Sequence, residues 1–428
     1  MMHLPRAGPS SIGEISPLSL LSGNKTPIVA RGSLRVNSLL LLLARITAQL
    51  LAVLFAAFLA RRLGVQDFGR FAFIASLIFV GNTFTNFGTD TFLVRETARN
   101  GKVTDAASRA LSLQFAFSAL YCAAMLALRD TPLFFYSLAL FPLAVFSVNN
   151  ALLRGLSRFD LFWLLSLANG LLQVIAALLS RDILSLCLSL LLGQILISAL
   201  SLRICSASLP NFRLLPLNDF FPIFKLILPF AVLTILLVVI QRLGILFTSS
   251  MLDDGDTGYF SAVTRVIEGL KLGHYAILGA LLPALSQGVT GSRKSFRRAF
   301  FLLMVVSLIF AMSLAILSAP VLQILYGEAF VPASNDLALL GWGLIPYTVS
   351  SFISYDLIAR GMESIIVRAA LLSLLIYIAL YLVLIPMLGL DGAIRSSLYG
   401  EWLQGFVFVM YYLYALRPAK DLPPDESR

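Results

Sequence analysis

Twelve apolar stretches, each long enough to cross a bilayer, take up nearly the whole chain and leave it almost no choice of fold. A membrane-spanning helix needs about 20 mostly apolar residues. Such runs lie at 38–60, 71–92, 107–128, 132–153, 160–180, 182–203, 226–248, 261–283, 299–321, 336–358, 366–387 and 393–416. In hydrocarbon every backbone N–H and C=O must find its partner inside the protein, so runs of this length read as helices. The connections are too short to fold as a separate soluble domain. The prediction is an all-α polytopic membrane protein whose activity resides in or between its helices. Composition agrees, with 59% hydrophobic and 13% charged residues against about 45–50% and about 25% in soluble domains.

Several function classes fall away. The net charge of +10 is spread over short loops with no stripe that would track a phosphate backbone, so nucleic acid is not an expected partner. Cys122, Cys187 and Cys205 are widely spaced and lie in or beside apolar runs, and the histidines are His3 and His274. No disulfide framework, metal site or cofactor is expected. There is no G-x-x-x-x-G-K-[ST] loop, so an ATP motor would be a separate chain. Residues 1–36 have too short an apolar run for a signal-peptide core and read as a cytoplasmic tail.

Lysine and arginine are retained on the cytoplasmic side of short loops. Of the 32 here, 22 fall in one set of alternate loops and the two tails, 6 in the other set and 4 within predicted helices. The asymmetry places both termini in the cytoplasm. The stretch 206–222, marked by Pro210, Pro216 and Pro222, reads as a linker between a six-helix bundle at 37–205 and a second at 223–416, with a tail at 417–428. A weak echo supports duplication: Phe68-Gly69-Arg70-Phe71 after the first helix resembles Thr257-Gly258-Tyr259-Phe260 after the seventh. Transporters built from such repeats carry their substrate sites at the repeat interface.

A charge at the bilayer centre costs about 2.5–3.5 kcal/mol on insertion scales, so charges that persist there face a cavity or a partner. Helix one carries Arg45 and Gln49 on one face. Helix two carries Asn82, Asn86 and Asp90, helix seven Gln241 and Arg242, and helix eight Arg265, Glu268, Lys271 and Tyr275. Together they predict a central, water-accessible, net cationic cavity. Plainer readings stand beside that one. Arg265 and Lys271 each lie three residues from Glu268 and could pair locally. Asp90 is near a helix end, where polar groups reach the interface. Glu401, inside helix twelve, suits either ion coupling or a hydrogen-bonded structural acid. Asp253, Asp254 and Asp256 read as a solvated turn, and the outer loops are otherwise too short for the acid–base or metal chemistry of a membrane glycosyltransferase.

The pattern resembles the polysaccharide transporters, or Wzx-like oligosaccharide flippases, of the superfamily that also holds multidrug and toxin extruders and lipid-linked peptidoglycan-precursor flippases. The likeness rests on Ala60-Arg61-Arg62-Leu63-Gly64-Val65-Gln66-Asp67-Phe68-Gly69 with Leu93-Val94-Arg95-Glu96, and on Pro229-Phe230 leading to Gly258-Tyr259-Phe260-Ser261-Ala262 and Leu282-Pro283. It continues in Leu325-Tyr326-Gly327-Glu328-Ala329-Phe330 and in Leu384-Ile385-Pro386-Met387-Leu388-Gly389-Leu390-Asp391-Gly392-Ala393. The family often has an acid shortly after the arginine of helix seven, where this chain has Gly244.

The resemblance implies a transporter and not an enzyme: a flippase moving a polyprenyl-diphosphate-linked oligosaccharide across the bacterial plasma membrane by alternating access, for surface polysaccharide such as O-antigen or exopolysaccharide. Arg45, Arg242, Arg265 and Lys271 would face the diphosphate. Gln49, Asn82, Asn86, Gln241 and Tyr275 would line the cavity, and Asp90, Glu268 and Glu401 are the candidates for coupling to H+ or Na+, with membrane potential as the other energy source. The lipid bilayer, the glycan lipid, and the polymerase and glycosyltransferases of the same pathway are the expected partners. A multidrug or other small-molecule extruder of the same superfamily is the alternative, and a membrane glycosyltransferase or ligase the more distant one.

Overall fold

A computed structural model describes residues 34–100, 103–206, 221–287 and 291–416; nearly all of the expected N-terminal tail and linker and all of the expected C-terminal tail lie outside them, and residues 34–36 of the expected tail begin a helix. The described chain is helical: α1 (Leu34–Asn86), α2 (Thr89–Asn100), α3 (Val103–Ala127), α4 (Thr131–Ser137), α5 (Leu140–Gly155), α6 (Phe159–Leu179) and α7 (Ile183–Cys205) form the N-half. The C-half comprises α8 (Phe221–Met251), α9 (Asp254–Ser286), α10 (Ser292–Tyr326), a 3-10 turn Glu328–Ala333, α11 (Ser334–Gly341), α12 (Leu344–Ala359), α13 (Glu363–Leu388) and α14 (Leu390–Ala415).

The twelve apolar runs map onto these helices with two kinds of adjustment. First, α1 holds the first run and most of the second, which breaks at Phe87 and Gly88 before α2. Gly64 sits at φ +77°, the left-handed region open to glycine, and the chain reverses there. The rings of Phe55 and Phe71 lie 5.8 Å apart, whereas 16 residues of straight helix would separate them by about 24 Å. Second, the fourth run of each half is broken. The fourth is split into α4 and α5 around Leu138, and the tenth into α11 and α12 around Trp342, with a 46° bend between the last pair. Each break falls four residues before a proline, Pro142 and Pro346, whose missing N–H cannot serve the carbonyl at the break. Among the described residues eight helices are long and apolar enough to cross a membrane, or nine with the bent pair. The long helices α9 and α14 are too polar to be counted, and they carry Lys271 and Glu401.

The duplication is visible in the backbone. One constant interval carries Val65 to Asp254, Gly69 to Gly258 and Phe71 to Phe260. A Cβ on Gly69 would lie 1.9 Å from the carbonyl oxygen of Asp254, and one on Gly258 would lie 2.1 Å from that of Val65. The two contacts are the same contact seen from opposite sides, so a pseudo-two-fold axis passes between the glycines. Glycine is required at both positions because the two backbones touch with no room for a side chain.

Around this crossing the halves are sealed. Phe68 is fully buried, its ring 5.9 Å from Tyr326 and 5.5 Å from Phe330 of the other half. Arg61 donates to the carbonyls of Gln323, Ile324 and Leu325 at the C-terminus of α10, where helix-end carbonyls lack partners and carry partial negative charge. A second contact joins the halves about 27 Å along α1 from Gly69, where Phe87 and Phe117 pack on α8 near Ala231 and Ile235. Farther along α9 the halves part: a Cβ on Gly269 or Gly273 would meet nothing within 4 Å, and Tyr275 is 46% exposed. The seam is tightest at the Gly64 end and looser toward the chain termini, where the Phe87 contact with α8 still bridges it.

Candidate functional site

Two of the four intramembrane cations, Arg242 and Arg265, face the seam, each set against an aromatic side chain of the opposite half. Arg242 of α8 lies over the Phe79 ring of α1 at 4.7 Å, and Arg265 of α9 over the Phe68 ring at 5.5 Å. Arg45 lies on the first limb of α1 in the N-half. The orientation of Arg45 follows from α1. Trp163 of α6 donates to Thr47 at 3.2 Å and Leu51 packs against Gly170 of α6. Arg45 and Gln49, each two residues earlier, therefore point away from α6 at about 100° per residue. Arg45 is exposed and forms no ion pair among the described residues. Lys271, the fourth cation, lies 4.4 Å over the Tyr347 ring within its own half.

Arg265 and Lys271 form no ion pair with Glu268 on their own helix among the described residues. Glu268 sits 3.4 Å from Arg242 on α8, and Lys271 donates to Oε1 of Glu401 on α14. Glu401 is held there by a close helix contact, because Gly400 lets the Tyr377 ring of α13 lie directly on the α14 backbone. Its second oxygen, Oε2, is buried without a hydrogen-bond partner, as are the Nε atoms of Arg242 and Arg265.

A cavity of about 250 Å³ opens beside this pair, and all of its lining belongs to the C-half. Gln241, Glu268, Lys271, Tyr275 and Glu401, named from the sequence, all line it. Tyr347, Tyr377, Tyr381 and Gln404 line it too and were missed because tyrosines and a lone glutamine do not stand out in an apolar run. Gly244, where the family often carries an acid, has no space for one. A Cβ there would lie 2.5 Å from the Phe260 ring and 2.7 Å from the Tyr381 hydroxyl.

The polar residues of helix two gather elsewhere. Asp90 pairs with Arg154 of α5 at 2.9 Å and accepts from the Ser147 hydroxyl at 2.5 Å. Asn86 donates to that hydroxyl at 2.9 Å, and Gln114 of α3 donates to Thr89 at 2.6 Å. This network ties α1, α2, α3 and α5 together within the N-half, and Asn82 lies half-buried one turn before it. His274 is buried, its Nε2 shared between Ser307 at 3.1 Å and Thr348 at 2.8 Å. The three cysteines are free and buried. Among the described residues no group of His, Cys, Asp and Glu could hold a metal. Asp253 caps α9 by accepting from the Asp256 N–H at 2.8 Å, so the acidic cluster begins a helix.

The fold and this site define a polytopic α-helical membrane protein of two duplicated bundles with a charged seam between them. Residues 34–289 match the family described as polysaccharide biosynthesis protein, and the chain belongs to that family. No curated protein sequence matches it. Among solved structures it is similar to the lipid II flippase MurJ in an inward closed conformation, at 16% identity and TM-score 0.71, covering 88% of this chain and 87% of that one. It is also similar to an inward-facing multidrug-resistance MATE transporter of the MOP superfamily, at 14% identity and TM-score 0.66, over 86% and 94% of the two chains. A third is a MOP-superfamily transporter from Pyrococcus furiosus, described by the reverse polarity of its binding pocket, at 15% identity and TM-score 0.61, over 88% and 94%. At these identities the likeness is one of fold.

Proposed function

We propose that this protein is a flippase that moves a polyprenyl-diphosphate-linked oligosaccharide from the inner to the outer leaflet of the bacterial plasma membrane, for surface polysaccharide assembly. The observation that carries the reading is the pair of guanidinium groups at the seam, Arg242 and Arg265, with Arg45 exposed on α1, in a chain of the polysaccharide biosynthesis family. A diphosphate cannot cross hydrocarbon unaided, and cations in a cleft between two bundles offer it a path while the polyprenyl tail stays in lipid. Arg45, unpaired at the looser end, meets the headgroup first. Arg242 stands deeper, partway along α8, and Arg265 deeper still, over Phe68 at the closed end. Rocking that parts the Gly64 end as the other end closes would then expose the cleft to each side in turn. The looser end, which carries the termini, is the cytoplasmic one by the distribution of lysine and arginine. H+, Na+ or membrane potential supplies the drive, and no covalent chemistry is needed.

The test is reconstitution in liposomes with a polyprenyl-diphosphate oligosaccharide bearing a fluorescent sugar, its leaflet read with an impermeant quencher under imposed pH, sodium and voltage gradients. Transbilayer movement that stops with Arg45→Ala or Arg242→Ala is the expected result, matched in cells by loss of surface glycan from protein that is still inserted. Undiminished movement in both variants removes these residues from the mechanism. One observation favours the small-molecule extruder instead: Glu268 and Glu401 both line the cavity, and acids suit a cationic drug. Uptake of cationic dyes into everted vesicles would support it.

A further inference from the structure

We propose that the cavity in the C-half is a subsite for one neutral sugar unit of the glycan, separate from the arginines that meet the diphosphate; this rests on the glycan-lipid reading above. Charge is the first argument. Among the side chains lining the cavity two carboxylates, Glu268 and Glu401, face one ammonium, Lys271. Arg242 offsets Glu268 without lining the cavity itself. A phosphate entering here would meet acids on two helices and an ammonium already engaged by Glu401.

Chemistry is the second. The Lys271–Glu401 pair presents a donor and an acceptor side by side, the combination that grips adjacent hydroxyls. Oε2 of Glu401 is buried and has no partner, and the amides of Gln241 and Gln404 have no protein partner among the described residues. A site whose polar groups are left unpaired selects ligands that bring hydroxyls. The tyrosines supply flat faces with polar edges: the Tyr377 and Tyr381 rings stack at 6.3 Å and 21°, with Tyr347 under Lys271.

Size is the third. At about 30 Å³ per water the cavity of about 250 Å³ holds about eight waters, the space of a single monosaccharide. The glycan would anchor one unit here while the rest lies along the open cleft.

Full-length protein in nanodiscs is irradiated with a hexose carrying a diazirine, and labelled peptides are identified by mass spectrometry. Labels within 340–347 and 397–404, displaced by unlabelled hexose and indifferent to inorganic pyrophosphate, are expected. Gln404→Leu, which keeps side-chain size, and Glu401→Ala should each cut labelling about tenfold or more. Labels elsewhere, no labels, displacement by pyrophosphate, unchanged labelling in Gln404→Leu, or displacement by tetraphenylphosphonium cation each overturn the subsite. Flipping without label in the cavity sinks only the subsite, and label without flipping sinks only the transport reading.

Discussion

Glu268 on α9 holds Arg242 on α8 at 3.4 Å, and Arg242 in turn covers Phe79 of the opposite half. The carboxylate thus fixes where one seam guanidinium points. Removing one member of a shielded pair costs up to about 3–5 kcal/mol, because the other charge is left uncompensated. Arg242→Ala is therefore expected to lower thermal stability more than the Arg242→Ala, Glu268→Ala double variant does. The double variant should remain inactive in flipping, since it lacks the seam cation. Recovery of flipping in the double variant would assign Arg242 a purely structural role.

Gly69 and Gly258 are expected to fail alike. Alanine at either drives a methyl group into the backbone of the other half, an overpacking of about 1–3 kcal/mol that falls only on the state with the Gly64 end closed. Both variants should shift the protein toward opening at that end. The native cysteines are buried, so a cysteine placed at Phe330 and probed with an impermeant thiol reagent reports the opening. Different responses from the two glycines would contradict the two-fold relation.

Arg61 is expected to hold the same end shut through the α10 carbonyls. Arg61→Ala should raise reactivity at that cysteine, and Arg61→Lys should restore closure only in part, because an ammonium lacks the planar fork that spans neighbouring carbonyls. Equal reactivity in all three proteins would show that the aromatic packing closes the end unaided.

Asp90 is expected to be a tie between helices. Its ion pair with Arg154 is about 30% exposed on both sides, so the pair contributes about 0.2–1 kcal/mol after screening by water. Asp90→Asn should cost little stability and leave the pH dependence of flipping unchanged. A flattened pH profile would make it a coupling acid.

The apolar runs made the helices legible, since a bilayer permits little else, and the Gly-x-Phe echo pointed to the repeat because a backbone crossing tolerates only glycine. The pairing of charges was not legible. Lys271 lies near Glu268 in the chain, yet its partner Glu401 stands 130 residues away, and proximity along one helix says nothing about which face a neighbouring helix presents. The breaks at Leu138 and Trp342 were foreshadowed by Pro142 and Pro346, but a proline can be absorbed within a membrane helix, as Pro320 is in α10. The cavity's tyrosines were hidden because the space they line exists only where several helices of the C-half meet. Arg45, Arg242 and Arg265 were visible as charges out of place, and the structure supplied what Arg242 and Arg265 face.

The meeting of Gly69 with Gly258 has a mechanical consequence. In the proposed cycle, a gate of bare main chain on an axis relating the two bundles has no side-chain knobs at the crossing to strip apart when it parts. The bundles would swing through equal and opposite arcs, so tethering either one to other membrane machinery would leave the stroke intact.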